Sequence, residues 1–378
     1  MTALPVNRYG ALSVYILLAM TLMFGSEILV WTNPAGRPVW EWLLLVPGYV
    51  ALSAILLDFS VRYRVRDIFG VLILTGIYGL ASAIFLNPAS TLNDLPRTLF
   101  TRVMGSHALI AAEMMGLFLV LTGGGRQARR NLLIGSAVVG LAWGIWVKYW
   151  PQDEGYGAVS LPVMLAFGIG GIILIGLYLY VVLPRLQADS NRGDPFRTSP
   201  PDPLSVYSEG EKSSRSAVGK IIPPTTSQAA PAVTNDDILA TLKLTRRGWL
   251  ITSGVLAVLL LVRLVQGPVI GAGLVICPLL LALCWGILWF RERKRGDTFL
   301  DQHVPIRPLA LPNLVMAALL FLVVGIFAYN LPDIKLGTLT PFTLIGLGFT
   351  AYGLAWLPTV ALVLGVQGYL HQLATRKM

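Results

Sequence analysis

The stretch SHALIAAEMMG, residues 106–116, has the composition of a lipid-spanning helix, yet it carries His107 and Glu113. A third ionisable group, Glu27, lies in the first apolar run of the chain. A charge held in hydrocarbon costs about 2.5–3.5 kcal/mol on insertion scales, so each group needs a partner, a proton or a water-filled cavity. Carboxylate and imidazole groups placed this way are the chemistry of a cation site or a proton path. Lys148 and Arg263, near the ends of two other apolar runs, can pair with Glu27 or reach the interface along their apolar stems. Asn330, before Leu331-Pro332, reads as a helix-terminal turn residue.

Depth follows from counting at about 1.5 Å per residue. Glu113 is ten residues from either end of its run, roughly 15 Å from both surfaces, which is the midplane. Glu27 and His107 lie about one turn inside the outer ends of theirs. His107 points about 120° away from Glu113 around the helix, so the two are not direct partners. Glu27 and His107 share a depth and are expected to hydrogen-bond between the first and fourth spans.

The elements that must position these groups are helices. Of the 378 residues, 55% are hydrophobic and only 13% charged, which excludes a soluble domain. The apolar runs exceed the 18 residues or so needed to cross a bilayer about 30 Å thick. The first is too long for a cleavable leader and reads as a signal anchor. Ten spans are predicted, at 9–32, 41–59, 68–86, 103–123, 131–150, 161–183, 249–266, 269–290, 311–330 and 342–366. The expected fold is an all-α integral membrane protein with these spans in a 6+4 arrangement. A six-helix membrane domain occupies 1–183, a disordered Pro/Ser-rich cytoplasmic linker 184–247, and a four-helix membrane domain 248–378. The linker's eight prolines between Pro184 and Pro231 leave too little apolar surface to offset the entropy of ordering. Near its end, Asn235 or Asp236 can cap a helix leading into the seventh span. Related Gly/Pro turns in spans 1–4 and 7–10 suggest a parallel four-helix repeat.

Charge sets the expected orientation. With these spans, 23 of the 29 Lys and Arg fall on one side, which basic residues mark as cytoplasmic, so both termini are expected inside a cell (inner) membrane. This asymmetry accounts for the net charge of +10 without nucleic acid. Trp31, Trp40, Trp42, Trp146, Trp150, Trp249 and Trp289 fall near span ends and read as interface anchors. Ser136, Gly140 and Gly144 form a small-residue ladder against which another backbone can pack. Pro47, Pro278 and Pro358 fall inside spans and should bend them. Cys277 and Cys284, seven residues apart on one helix face, are about 10 Å apart and too distant for a disulfide.

No zinc, nucleophile-elbow or nucleotide-loop motif is present, no cofactor can be named, and His107 is the only histidine inside a span. The leading expectation is a protein that moves or binds a small solute or ion through a polar cavity opening outward, with its floor near Glu113. The alternative is a non-catalytic subunit or scaffold, associating with other membrane proteins or with copies of itself in the bilayer. A membrane enzyme on a lipid-linked substrate would need acids and bases grouped at one interface, for which Glu41, Asp94, Asp153 and Glu154 are the candidates. Reporter fusions placed after Arg130, within 190–230 and at the C-terminus should all read out as cytoplasmic; an outer signal from any of them would overturn the register of spans.

Overall fold

A computed structural model describes residues 8–92, 94–185, 239–266, 271–290, 298–301, 308–332 and 339–375. Among them the chain is all-helical, without strands. The long helices are α1 (Arg8–Met23), continued by a π-helical segment Phe24–Leu29; α2 (Val39–Arg62); α3 (Ile68–Phe85); and α4 (Ala108–Gly123), preceded by a π-helical segment Leu99–His107. They are followed by α5 (Gly125–Asp153), α6 (Leu161–Leu177), α7 (Arg246–Gln266), α8 (Gly273–Phe290), α9 (Leu311–Tyr329) and α10 (Pro341–Thr375). Eight of these stretches, α1 to α7 and α9 with their π-helical continuations, are long and apolar enough to cross a membrane. Most of the predicted linker, the capping pair Asn235 and Asp236, and the basic segments 291–297 and 376–378 lie outside the described residues.

Local signals explain where helices start and stop. Asp67 caps α3, its carboxylate accepting from the Gly70 N–H at 2.7 Å. Between α4 and α5 the chain breaks at Gly124 and Gly125, with φ of 60° and 86°, where a residue with a Cβ would be strained. Asn330 closes α9, its amide donating to the Ile326 carbonyl at 2.8 Å.

Burial separates an inner set of helices from an outer one. The apolar window of α1 is 78% buried and those of α2 and α3 are 72%, against 17% for α7 and 22% for α9. The first four helices therefore form the core, and the others present apolar flanks such as Val138, Leu261 and Val323 outward. In a soluble protein such flanks would be a liability; against lipid they are the expected covering. The last four helices do not stack as one block. α7 lies on α2, α8 on α3, α9 on α5 and α6, and α10 on the π-helical segment before α4.

Small residues permit the closest of these crossings. The ladder of α5 is used inside the molecule: a methyl group at Gly140 would meet the Phe321 carbonyl oxygen, and one at Gly144 the Gly325 carbonyl oxygen. At the other crossing, Gly353 of α10 faces the Phe100 carbonyl and Gly105. Cys277 and Cys284 are buried, unlinked packing residues.

The predicted linker ends earlier than its composition suggests. Leu239 and Leu242 are buried, and Tyr15 donates to the Leu242 carbonyl at 3.0 Å. Asp58, fully buried near the end of α2, receives two bonds of 2.8 Å from Arg62 and accepts the Leu244 N–H at 2.7 Å. These contacts clasp residues 239–244 to the first half of the chain. Two leucines and a backbone amide are too short a signal to stand out in a proline-rich sequence.

Gly144→Ala should force α5 from α9 and destabilise the protein by about 1–3 kcal/mol, read as a lower midpoint of thermal unfolding in detergent. Gly254→Ala, where a methyl group meets nothing within 4 Å, is the control and should leave the midpoint unchanged or raised.

Candidate functional site

Both Glu27 and His107 lie in π-helical segments, where a turn carries an extra residue and backbone groups lose their regular partners. Beyond Leu29 the chain turns sharply, with Trp31 and Asn33 both at positive φ, 58° and 45°. A bulky residue adopts that region only when its surroundings hold it there. Trp31 is 1% exposed and packs edge-on against Phe167, 5.8 Å between centroids. The carbonyls freed at the end of the π segment are met by indoles of α5: Trp143 donates to Ile28 at 3.1 Å and Trp146 to Val30 at 2.7 Å. Thr32 closes back onto the Ser26 carbonyl at 2.8 Å.

This turn returns Arg37 over Glu27. The Glu27 carboxylate is fully buried, 2.9 Å from Arg37 Nη2, and accepts from the Tyr49 hydroxyl at 2.5 Å and the Asn87 amide at 3.3 Å. Arg37 Nη2 also donates to the Thr32 carbonyl and to Asn87 Oδ1. The chain of charges continues outward, with Arg37 Nη1 at 3.8 Å from Glu41 and Glu41 at 2.7 Å from Arg263 of α7. Two carboxylates and two guanidiniums alternate along it, so the set is neutral.

Above this chain lies a cavity of about 860 Å³, walled by the turn after α1, the ends of α3 and α5, the π segment before α4 and the start of α10. Arg37, Glu41, Arg97, Arg102, His107, Asp153, Glu154 and Arg263 line it together with Trp31, Trp146 and Trp150. Arg102 is ion-paired with Glu154 and lies over the Trp150 ring at 5.2 Å. His107 is 3% exposed, and its Nδ1 has no hydrogen-bond partner among the described residues. Every wall comes from a helix end that the charge asymmetry predicts to face out.

Several expectations are corrected. Glu27 is held by Arg37 rather than by Lys148 or Arg263. Arg263 sits on Glu41, and Lys148 donates to the Leu331 carbonyl at 2.7 Å and lies over the Tyr149 ring. Glu27 and His107 do not pair, because Tyr49, Asn87 and Arg37 already surround the carboxylate. Glu113 is not the floor of the outer cavity; it lines a separate cavity of about 380 Å³ between α4, α5, α6 and α9. Trp31 and Trp146 are buried inside the protein, not placed at its lipid surface, whereas Trp40 and Trp289 are about half exposed.

Arg37, Arg97, Arg102, Tyr49 and Asn87 were missed as site residues. For the arginines a signal existed. Six basic residues depart from the charge asymmetry, Arg37, Arg97, Arg102, Lys148, Arg263 and Lys335, and four of them line the outer cavity. Among the described residues no cluster of three or more His, Cys, Asp and Glu side chains is placed to hold a metal ion. No protein-family model, curated protein or solved structure matches this chain.

Removing one member of a buried ion pair leaves the other uncompensated, at about 3–5 kcal/mol. Arg37→Met should therefore lower the thermal midpoint sharply. The Glu27→Gln/Arg37→Met double variant should recover most of that loss, since Gln still accepts from Tyr49. Equal midpoints for the single and double variants would show that the pair carries no coupling.

Proposed function

We propose that the chain is a multi-pass membrane protein that binds, and passes inward, a small polar or ionic solute entering the outer cavity. The observation that carries this reading is the gathering of four arginines, three carboxylates, His107 and three tryptophans around one cavity. Such a lining offers charge-assisted bonds to a polar solute and ring faces to its apolar part. Arg102 and His107 are the binding residues of this reading, with Glu27 and Arg37 positioning the wall behind them and Glu41–Arg263 tying it to α7. The proposal includes ten crossings in a 6+4 order and both termini in the cytoplasm. These rest on the predicted spans and the 23 to 6 distribution of basic residues. The parallel repeat rests on the related Gly/Pro turns alone.

A second reading, a membrane enzyme acting on a lipid-linked substrate, is favoured by one observation: Glu41, Asp153, Glu154 and His107 face the same cavity. The subunit reading draws less support, because the glycines of α5 that could receive a partner's backbone are occupied by α9.

Proteoliposomes of the purified full chain, offered a panel of radiolabelled inorganic ions, amino acids and sugars, should accumulate at least one of them saturably. Arg102→Gln should reduce that uptake at least tenfold while leaving the elution profile of the protein unchanged. No saturable uptake across the panel, together with a stoichiometric partner retained through purification, would replace the transporter reading with that of a subunit.

A further inference from the structure

The cavity lined by Glu113 shares no lining residue with the outer one, and its chemistry is different. Among the described residues, Glu113 is the only charged one that lines it, and Asn131 and Ser136 are the only other polar side chains there. The remaining wall is aliphatic, aromatic and thioether, including Met114, Phe24 and Phe321, whose two rings are 6.3 Å apart. Phe321 is itself held by stacking on Trp143 at 4.7 Å. Glu113 makes no hydrogen bond or ion pair among the described residues.

We propose that this cavity binds a lipophilic organic cation, with Glu113 as its counter-ion and Phe24 and Phe321 as its aromatic wall. A neutral acyl chain would fill the space but engage the carboxyl group only as its neutral acid, whereas a cation also meets the carboxylate's charge. A hydrated metal ion is a poor fit, because Ca²⁺ takes six to eight oxygen ligands and Mg²⁺ near-octahedral coordination. One carboxylate, one amide and one hydroxyl cannot replace such a shell. A cation whose charge is spread under an apolar surface has no tight water shell to lose, so a single carboxylate and two ring faces suffice. The volume lies within the range that small-molecule sites occupy, about 300–1,000 Å³. Gly116, one turn from Glu113 on the same helix face, and Gly135 of α5 both leave space in which an added methyl group would touch nothing within 4 Å. This site is independent of the outer cavity, and either can stand if the other falls.

Tetraphenylphosphonium is the probe, with the full chain in nanodiscs measured against empty nanodiscs. Saturable binding near one per chain is expected, weakened at least tenfold in Glu113→Gln. The neutral triphenylphosphine oxide should not distinguish the two proteins. Gly116→Leu keeps the charge, favours the helix and fills the space beside Glu113, so it should abolish binding of the cation. Should Glu113→Gln fail to fold, Gly116→Leu alone decides the matter. Absence of saturable binding, as a resident lipid tail would produce, overturns the proposal, as does undiminished binding in either folded variant.

Discussion

The ion pair between Glu27 and Arg37 is the contact from which most of the remaining geometry follows. A carboxylate with no exposed surface needs compensation, and the cation that supplies it here is only ten residues further along the chain. To bring it back, the backbone leaves the helix through a π-helical segment and turns with Trp31 and Asn33 in the left-handed region. That turn frees carbonyl groups, which the indoles of Trp143 and Trp146 satisfy, fixing α5 against α1. The glycines of α5 then admit α9, and Glu41 at the far end of the charge chain engages α7 through Arg263. One desolvated charge thus sets the positions of helices from both halves of the sequence.

The two cavities represent opposite ways of keeping charge near hydrocarbon. In the outer one, four guanidiniums face three carboxylates, and Arg102 and Arg263 are ion-paired with Glu154 and Glu41 across its walls. In the other, a carboxylate stands without a protein cation among the described residues, in a wall that is otherwise almost wholly apolar. Leu29 of the apolar cavity and Val30 of the outer one are consecutive in the chain, and Trp143, which lines neither, spans the same region. Trp143 donates to the turn that bounds the outer cavity and stacks on Phe321 of the apolar one.

The long helices were legible because apolar length and flanking charge are physical requirements of a bilayer, and they act on each segment independently. Neighbour relations were not legible, since nothing in the spacing of Glu27 says that Tyr49 or Asn87 will stand beside it. The π-helical segments escaped for a related reason: counting at a constant rise assumes that every turn is regular, and Glu27 and His107 sit where it is not. Trp31 and Trp146 were misplaced because nearness to a span end marks a lipid anchor and a buried donor alike. Of the ladder Ser136–Gly140–Gly144, the two glycines form a close-packing face as read, whereas Ser136 lines the apolar cavity, and the identity of α9 as the helix received needed three dimensions.

The outer arginines also bear on how the chain enters the membrane. Arg37 has Glu41 four residues away, and Arg97 has Asp94 three residues away at 2.7 Å, so each has a counter-charge on its own stretch of chain. Arg102 and Arg263 have no such neighbour; their carboxylates, Glu154 and Glu41, arrive from distant parts of the sequence. In chain order Arg102 precedes its partner Glu154, whereas Arg263 follows its partner Glu41. If the chain inserts in the proposed orientation and in order of synthesis, its second half is added to charges that the first half already carries, while the first half holds an arginine whose partner lies further along the chain.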